Sequence, residues 1–222
     1  MTGQPGGQPT SGQPTVALSG YYYPNKMVRI FLEALEDVMG TNGLNALLHR
    51  ANLSQYITNR PPENLQREVD FTHIAALSIA LEDLYGVRGG RGLAQRAGRA
   101  VFAQGLKNFG ALAGAGDLAF RVLPLAAKLK IGIPAIASIF TNFSDQISVV
   151  EEYDDHYLYI IKRCSMCWGR TTDKPCCHIA TGILQEALRW VSGGREFRIV
   201  QTKCHACGDE FCEYVIYKEP IA

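Results

Sequence analysis

From Asn25 onward apolar positions recur at helical spacing: Met27, Phe31, Ala34, Leu35 and Val38 form one stripe, and Gly40 ends it. The segment GLNALLHRA reads as a second short helix, and NRPPENL breaks the pattern. Asp70 then stands where an N-cap is expected, ahead of a third helix whose stripe is Ile74, Leu77, Leu81 and Leu84. YGVRGGRG reads as a turn and LAQRAGRAVFAQGLKNF as a fourth helix. Residues 111–143 are rich in alanine and glycine, with Asp117, Arg121, Lys128 and Lys130 as their charged positions. One or two buried helices are expected there.

At Ile147 the period changes from helical to alternating. ISVVEE and YLYIIKR are β-branched and aromatic, with the turn-like YDDH between them. CCHIATGILQEALRWVSGG returns to a helix, with Ile179, Ile183, Leu184, Ala187, Leu188 and Val191 on one face and Gly193-Gly194 as the stop. EFRIVQT and FCEYVIYKE supply two more strands. A helical first part followed by β-β-α-β-β implies an α+β fold, an antiparallel sheet covered by helices. Residues 21–222 read as a single domain, with the cysteine-rich unit at 147–222. Residues 1–20, which repeat Gly-Gln-Pro, read as a disordered tail because they hold too little apolar surface to offset the entropy of ordering.

Composition narrows the partners. The 222-residue chain has a net charge of +1, so it lacks the basic footprint of a nucleic-acid binder. Its longest strongly apolar run, IGIPAIASIF, is about half of the roughly 20 residues a bilayer span requires. No secretory leader is visible at the start, and a soluble, cytoplasmic protein is expected. In that compartment thiols rarely form structural disulfides.

The seven cysteines therefore carry the chemistry. None occurs before Cys164, and all fall at joints of the C-terminal unit: Cys164 and Cys167 after a strand, Cys176 and Cys177 before a helix, Cys204, Cys207 and Cys212 across the last hairpin. The partial positive charge of a helix N-terminus favours thiolate at Cys176 and Cys177. CHACGD is the Cys-x-x-Cys-Gly knuckle of tetrahedral sulfur sites. Burial as small hydrophobes explains one or two cysteines but not seven within 49 positions. Four thiolates suit zinc or an iron–sulfur cluster equally. His178 and His205 lie beside cysteines, whereas His49 and His73 read as ordinary helical positions. The glycines of RGGRGLAQRAG miss the dinucleotide fingerprint, and the acidic run Glu151, Glu152, Asp154, Asp155 reads as a solvated turn. No Ser/His/Asp or paired-carboxylate pattern supports a hydrolase.

PCCHIATGILQEALRWVSGG and FRIVQTKCHACGDEFCEYVI resemble the hydrocarbon-binding domain family named after bacteriochlorophyll 4-vinyl reductase, matching at Cys177, Gly182, Cys204, Gly208-Asp209 and Cys212. The resembled family has an acidic metal-site residue where Gln201 stands here, and Cys207, or the pair Cys164/Cys167, could supply the missing donor. The resemblance implies a metal set of Cys177, Cys204, Cys207 and Cys212, holding zinc or alternatively an iron–sulfur cluster. It implies a fold like the small subunits of the TRAPP tethering complex, which often pair, so a homodimer is expected. It also implies a small hydrophobic ligand, an aromatic or a tetrapyrrole precursor, between the helices and the sheet. Phe102, Phe109, Phe120, Phe140 and Trp190 are its expected lining. The reading is a non-catalytic binding or sensing domain. The alternatives are an iron–sulfur redox protein assisting vinyl-group reduction in chlorophyll-type pigment synthesis, hence an oxidoreductase, and a structural zinc module joining protein partners.

Overall fold

The computed structural model describes residues 17–109, 120 and 122–221, with the backbone alone at Phe109. The chain runs β1 (Tyr22–Pro24), α1 (Asn25–Arg50), α2 (Gln55–Thr58), β2 (Arg67–Asp70), α3 (Phe71–Phe109), α4 (Leu125–Phe143), β3 (Ser148–Glu152), β4 (His156–Ile161), α5 (His178–Ser192), β5 (Phe197–Lys203), a 3-10 turn (His205–Cys207) and β6 (Cys212–Pro220). The helical first part and the β-β-α-β-β second part are as the periodicity implies. Most of the Gly-Gln-Pro tail, residues 1–16, lies outside the described residues, but Ser19 and Gly20 are tied down: both backbone N–H groups donate to the Asp70 carboxylate.

Two helix boundaries differ from the sequence expectation. Gly40 (φ 74°) and Gly86 (φ 69°) each break helical geometry at one residue, after which the chain re-enters a helix at once. A left-handed φ costs glycine little, so each serves as a sharp joint rather than a loop. The expected turn YGVRGGRG is thus helical apart from Gly86. At Gly90 a Cβ would lie 2.8 Å from the Leu81 carbonyl oxygen, so the second half of α3 folds back closely on the first. Leu84, expected in the buried stripe, is exposed beside this joint.

Strands β1 and β2 pair antiparallel, Tyr22 opposite Asp70 and Tyr23 opposite Val69. At three and four residues they are too short for an alternating pattern to register. Asp70 accepts bonds from the Thr72 N–H (2.8 Å) and hydroxyl (2.7 Å), which fits its expected capping role.

The main sheet is antiparallel in the order β3-β4-β6-β5. Tyr157, Tyr159 and Ile161 of β4 and Cys212, Tyr214 and Ile216 of β6 lie at every second position and are buried, and toward the paired ends Ile160 and Glu213 are buried as well. The apolar stripe of α5 is buried throughout. This helix ends at Gly193 in the left-handed conformation, with the Gly194 N–H donating to the Arg189 carbonyl at 2.7 Å. No described helix is long and apolar enough to cross a membrane.

Candidate functional site

Strand register assembles the cysteines. Ile161, at the end of β4, pairs with Cys212, at the start of β6. The loop after β4, bearing Cys164 and Cys167, is thereby delivered beside Cys212. Lys203 of β5 pairs with Glu213 of β6, which carries Cys204 to the same end of the sheet. Cys177 occupies the N-cap position of α5 and completes the convergence. Its backbone is fixed on both sides: the Tyr214 hydroxyl donates to its carbonyl (3.1 Å), and its N–H donates to Gln201 Oε1 (3.1 Å). Gln201 thus helps to orient the start of the helix.

The sulfur spacings are short. Cys164 and Cys177 lie 3.5 Å apart, as do Cys167 and Cys212; Cys177 lies 3.8 Å from both Cys212 and Cys204, and Cys176 lies 3.9 Å from Cys204. Two groups result, each with its ligand atoms within 4.8 Å of one another: Cys164, Cys167, Cys177 and Cys212, and the triad Cys176, Cys177 and Cys204. All six are buried. Of the expected set, Cys177, Cys204 and Cys212 come together, while Cys207 is exposed, its sulfur 3.7 Å from the Thr172 hydroxyl, and joins neither group. The hairpin knuckle is otherwise well formed: Gly208 takes φ 95°, the Cys204 N–H donates to Asp209 Oδ2 (2.7 Å), and the His205 N–H donates to the Cys212 sulfur (3.4 Å).

Packed thiols divide their protons unequally. Hydrogen bonds from Cys167, Cys176 and Cys177 draw the Cys204 thiol down, while the thiols of Cys167, Cys176, Cys177 and Cys212 rise. Cys177 is pushed up by Cys164, Cys167 and Cys176 and by burial. A bound cation removes this conflict, because a coordinating thiol is deprotonated outright. The nearby cation Arg170 is 6% exposed, and its Nη2 lies 2.6 Å from Glu82. Burial works against its charge, but Cys176 and Glu82 more than offset that and hold its pKa up.

An apolar cavity of about 170 Å³ lies against this thiol cluster. It opens among α1, α3, α4 and α5, with Tyr23 of β1 in its lining, whereas the main four-stranded sheet does not form its wall as expected from sequence. Phe102, Phe120, Phe140 and Trp190 line it; the side chain of Phe109, the fifth expected lining residue, lies outside those described. Phe120 stacks on Trp190 with ring centroids 6.0 Å apart and planes 13° apart. Sequence reasoning missed Ser165 and Met166, which line the cavity and lie between Cys164 and Cys167. Their position inside a Cys-x-x-Cys pair was the available signal. The cavity's polar end is Ser165, whose hydroxyl donates to the Tyr23 hydroxyl (3.3 Å).

Residues 158–218 match the 4-vinyl reductase domain. This is the family of the cysteine motifs, and the matched segment runs from β4 through the cysteine loops and α5 into the last strand. No curated protein matches the chain in sequence. Among solved structures, an unliganded Fe(II) H-NOX protein from K. algicida is similar at 13% identity and a TM-score of 0.56, covering 90% of this chain and 97% of that one. An H-NOX protein from S. oneidensis in the Fe(II)NO ligation state is similar at 11% identity and 0.56, covering 87% and 99%. An oxygen-binding H-NOX domain related to soluble guanylate cyclases gives 10% and 0.56, covering 90% and 97%. At these identities the likeness concerns the fold.

Proposed function

We propose that this chain is a non-catalytic sensor domain that binds a small apolar molecule in the cavity and holds zinc in the thiol group of Cys164, Cys167, Cys177 and Cys212. One observation carries the reading: Ser165 and Met166 line the cavity while the residues on either side of them, Cys164 and Cys167, stand in the metal-binding group. A ligand pressing on Ser165 and Met166 acts on a loop whose two ends the metal would pin.

Size favours a single aromatic ring. An engineered apolar cavity of about 150 Å³ stays dry and binds benzene, and the present volume is about 170 Å³. A tetrapyrrole is far larger. Heme, bound by H-NOX proteins, does not fit the described lining either. No histidine and no cationic side chain is among those residues to hold the iron or the propionates.

Spacing favours a single ion over an iron–sulfur cluster. With Zn–S bonds of about 2.3 Å, sulfurs at the corners of a tetrahedron lie about 3.8 Å apart, close to the 3.5–3.8 Å found here. The terminal thiolates of a cluster sit on different irons, kept farther apart by the bridging sulfides. The four cysteines fill a closed structural coordination shell with no open position.

Trp190 reports on the cavity directly. Toluene or phenol titrated into zinc-loaded protein is expected to change its fluorescence with saturation, and removing zinc with a chelator is expected to weaken that binding. Equal affinity with and without zinc contradicts the coupling, and no saturable change contradicts the ligand assignment. Added hemin is expected to give no shifted Soret band.

A further inference from the structure

We infer that the thiol cluster is built for two metal ions, with Cys177 as a thiolate shared between them. The inference rests on the four-thiolate reading and goes beyond it. One tetrahedral ion is satisfied by Cys164, Cys167, Cys177 and Cys212, yet two further thiols, Cys176 and Cys204, are buried in the same cluster at 7% and 0% exposure. With Cys177 they form a second group: Cys177 lies 3.8 Å from Cys204, and Cys176 lies 3.9 Å from it. These are again the edge lengths of a tetrahedron of sulfurs about 2.3 Å from one ion. Two tetrahedra sharing the Cys177 corner use every buried cysteine and leave out the exposed one, Cys207.

The surroundings supply an independent observation. The Arg170 side chain is more than nine-tenths buried, and its Nη1 has no hydrogen-bond partner among the described residues. Its neighbours include the anionic positions of Cys176 and Cys177, the two thiols at the seam between the groups. A buried, half-satisfied guanidinium is costly unless negative charge lies beside it. Six thiolates around two divalent ions carry a net charge of −2, and the Arg170 guanidinium, which also pairs with Glu82, lies near enough to Cys176 and Cys177 to interact with it. Loading the second ion displaces the remaining thiol protons to solvent.

The two sites would differ in kind. The first has four protein ligands and is closed. The second has three, Cys176, Cys177 and Cys204, and one position open to water or to a small anionic or thiol ligand, the pattern of reactive rather than structural zinc. Cys177 also caps α5, whose Ile179 lines the cavity, so the shared thiolate stands at the junction of both ions and the ligand site.

Zinc per chain tests this on full-length protein, stripped and reloaded without oxygen. About two ions per chain are expected for the wild type and for Cys207→Ser, and about one for Cys176→Ser. One ion in both the wild type and Cys176→Ser overturns the second site and leaves the four-thiolate site standing. No bound zinc in any of them overturns both. Cadmium-113 NMR of the wild type needs no variant to fold: two resonances, both coupled to the Cys177 β-protons, are expected, and a single resonance at saturating cadmium overturns the inference.

Discussion

Gly98 and Gly182 bring α3 and α5 into backbone contact. A Cβ on Gly98 would lie 2.1 Å from the Ile179 carbonyl oxygen, and one on Gly182 would lie 2.1 Å from that of Gln95. Both obstacles are backbone, so neither can rotate aside. The contact seats the first turn of α5, and with it Cys177, against the rest of the fold. Gly182→Ala is therefore expected to destabilise by about 1–3 kcal/mol or more, as overpacking does. At about 2–4 °C per kcal/mol for a chain of this size, thermal melting registers it. An unchanged Tm contradicts the close approach.

The cysteines are expected to separate into two classes. Cys164→Ser and Cys212→Ser each remove a ligand from the four-thiolate group, so both should lose zinc and melt at clearly lower temperature. The resemblance alone implied a stronger effect at Cys212 than at Cys164; the 3.5 Å approach of Cys164 to Cys177 makes the two comparable. Cys207→Ser, at an exposed position outside both groups, should change stability by no more than about 0.5 kcal/mol. Metal content and melting curves of the three variants check this, and strong zinc loss in Cys207→Ser alone contradicts it.

Gly105 offers a test that separates binding from folding. It lines the cavity within α3, and a Cβ there meets nothing within 4 Å. Gly105→Leu fills the space a ligand would use while raising helix propensity by roughly 0.5–1 kcal/mol. The variant is expected to melt at the same or higher temperature and to lose the Trp190 response to toluene. Retained binding shows that the ligand lies elsewhere.

Strong acid is expected to weaken the N-terminal junction held by Asp70. Burial alone would raise the Asp70 pKa, but hydrogen bonds from Thr72 and Ser19 outweigh it and hold the carboxyl below its ordinary value. A lowered folded pKa contributes stability that is present above the unfolded value of about 3.9 and is lost as pH falls through the folded one. Asp70→Asn should be less stable than wild type near neutral pH by about 1–3 kcal/mol, with the gap closing below pH of about 4. Urea unfolding across that range measures it; a gap independent of pH contradicts the assignment.

Local information made much of this legible in the sequence. The stripe of α5, the alternation in β4 and β6 and the glycine stop at Gly193 each follow from neighbouring residues. The concentration of thiols at strand and helix ends pointed to one metal centre because antiparallel neighbours share an end. Which thiols meet was a different matter. It depends on the pairing of Ile161 with Cys212, a relationship across 51 positions that no spacing reveals. For the same reason the knuckle motif makes Cys207 an expected ligand, whereas the structure places it at an exposed position outside both thiol groups. The cavity walls from α1 and the joints at Gly40 and Gly86 were hidden because a glycine in a helical pattern reads equally as an end or a hinge.

X-ray absorption at the metal edge of zinc-loaded protein tests the central claim most directly. A first shell of sulfur alone, close to four atoms per ion at about 2.3 Å, is the expected result, lowered only slightly if a second ion carries one oxygen. A shell dominated by nitrogen or oxygen would contradict a metal centre made by these cysteines.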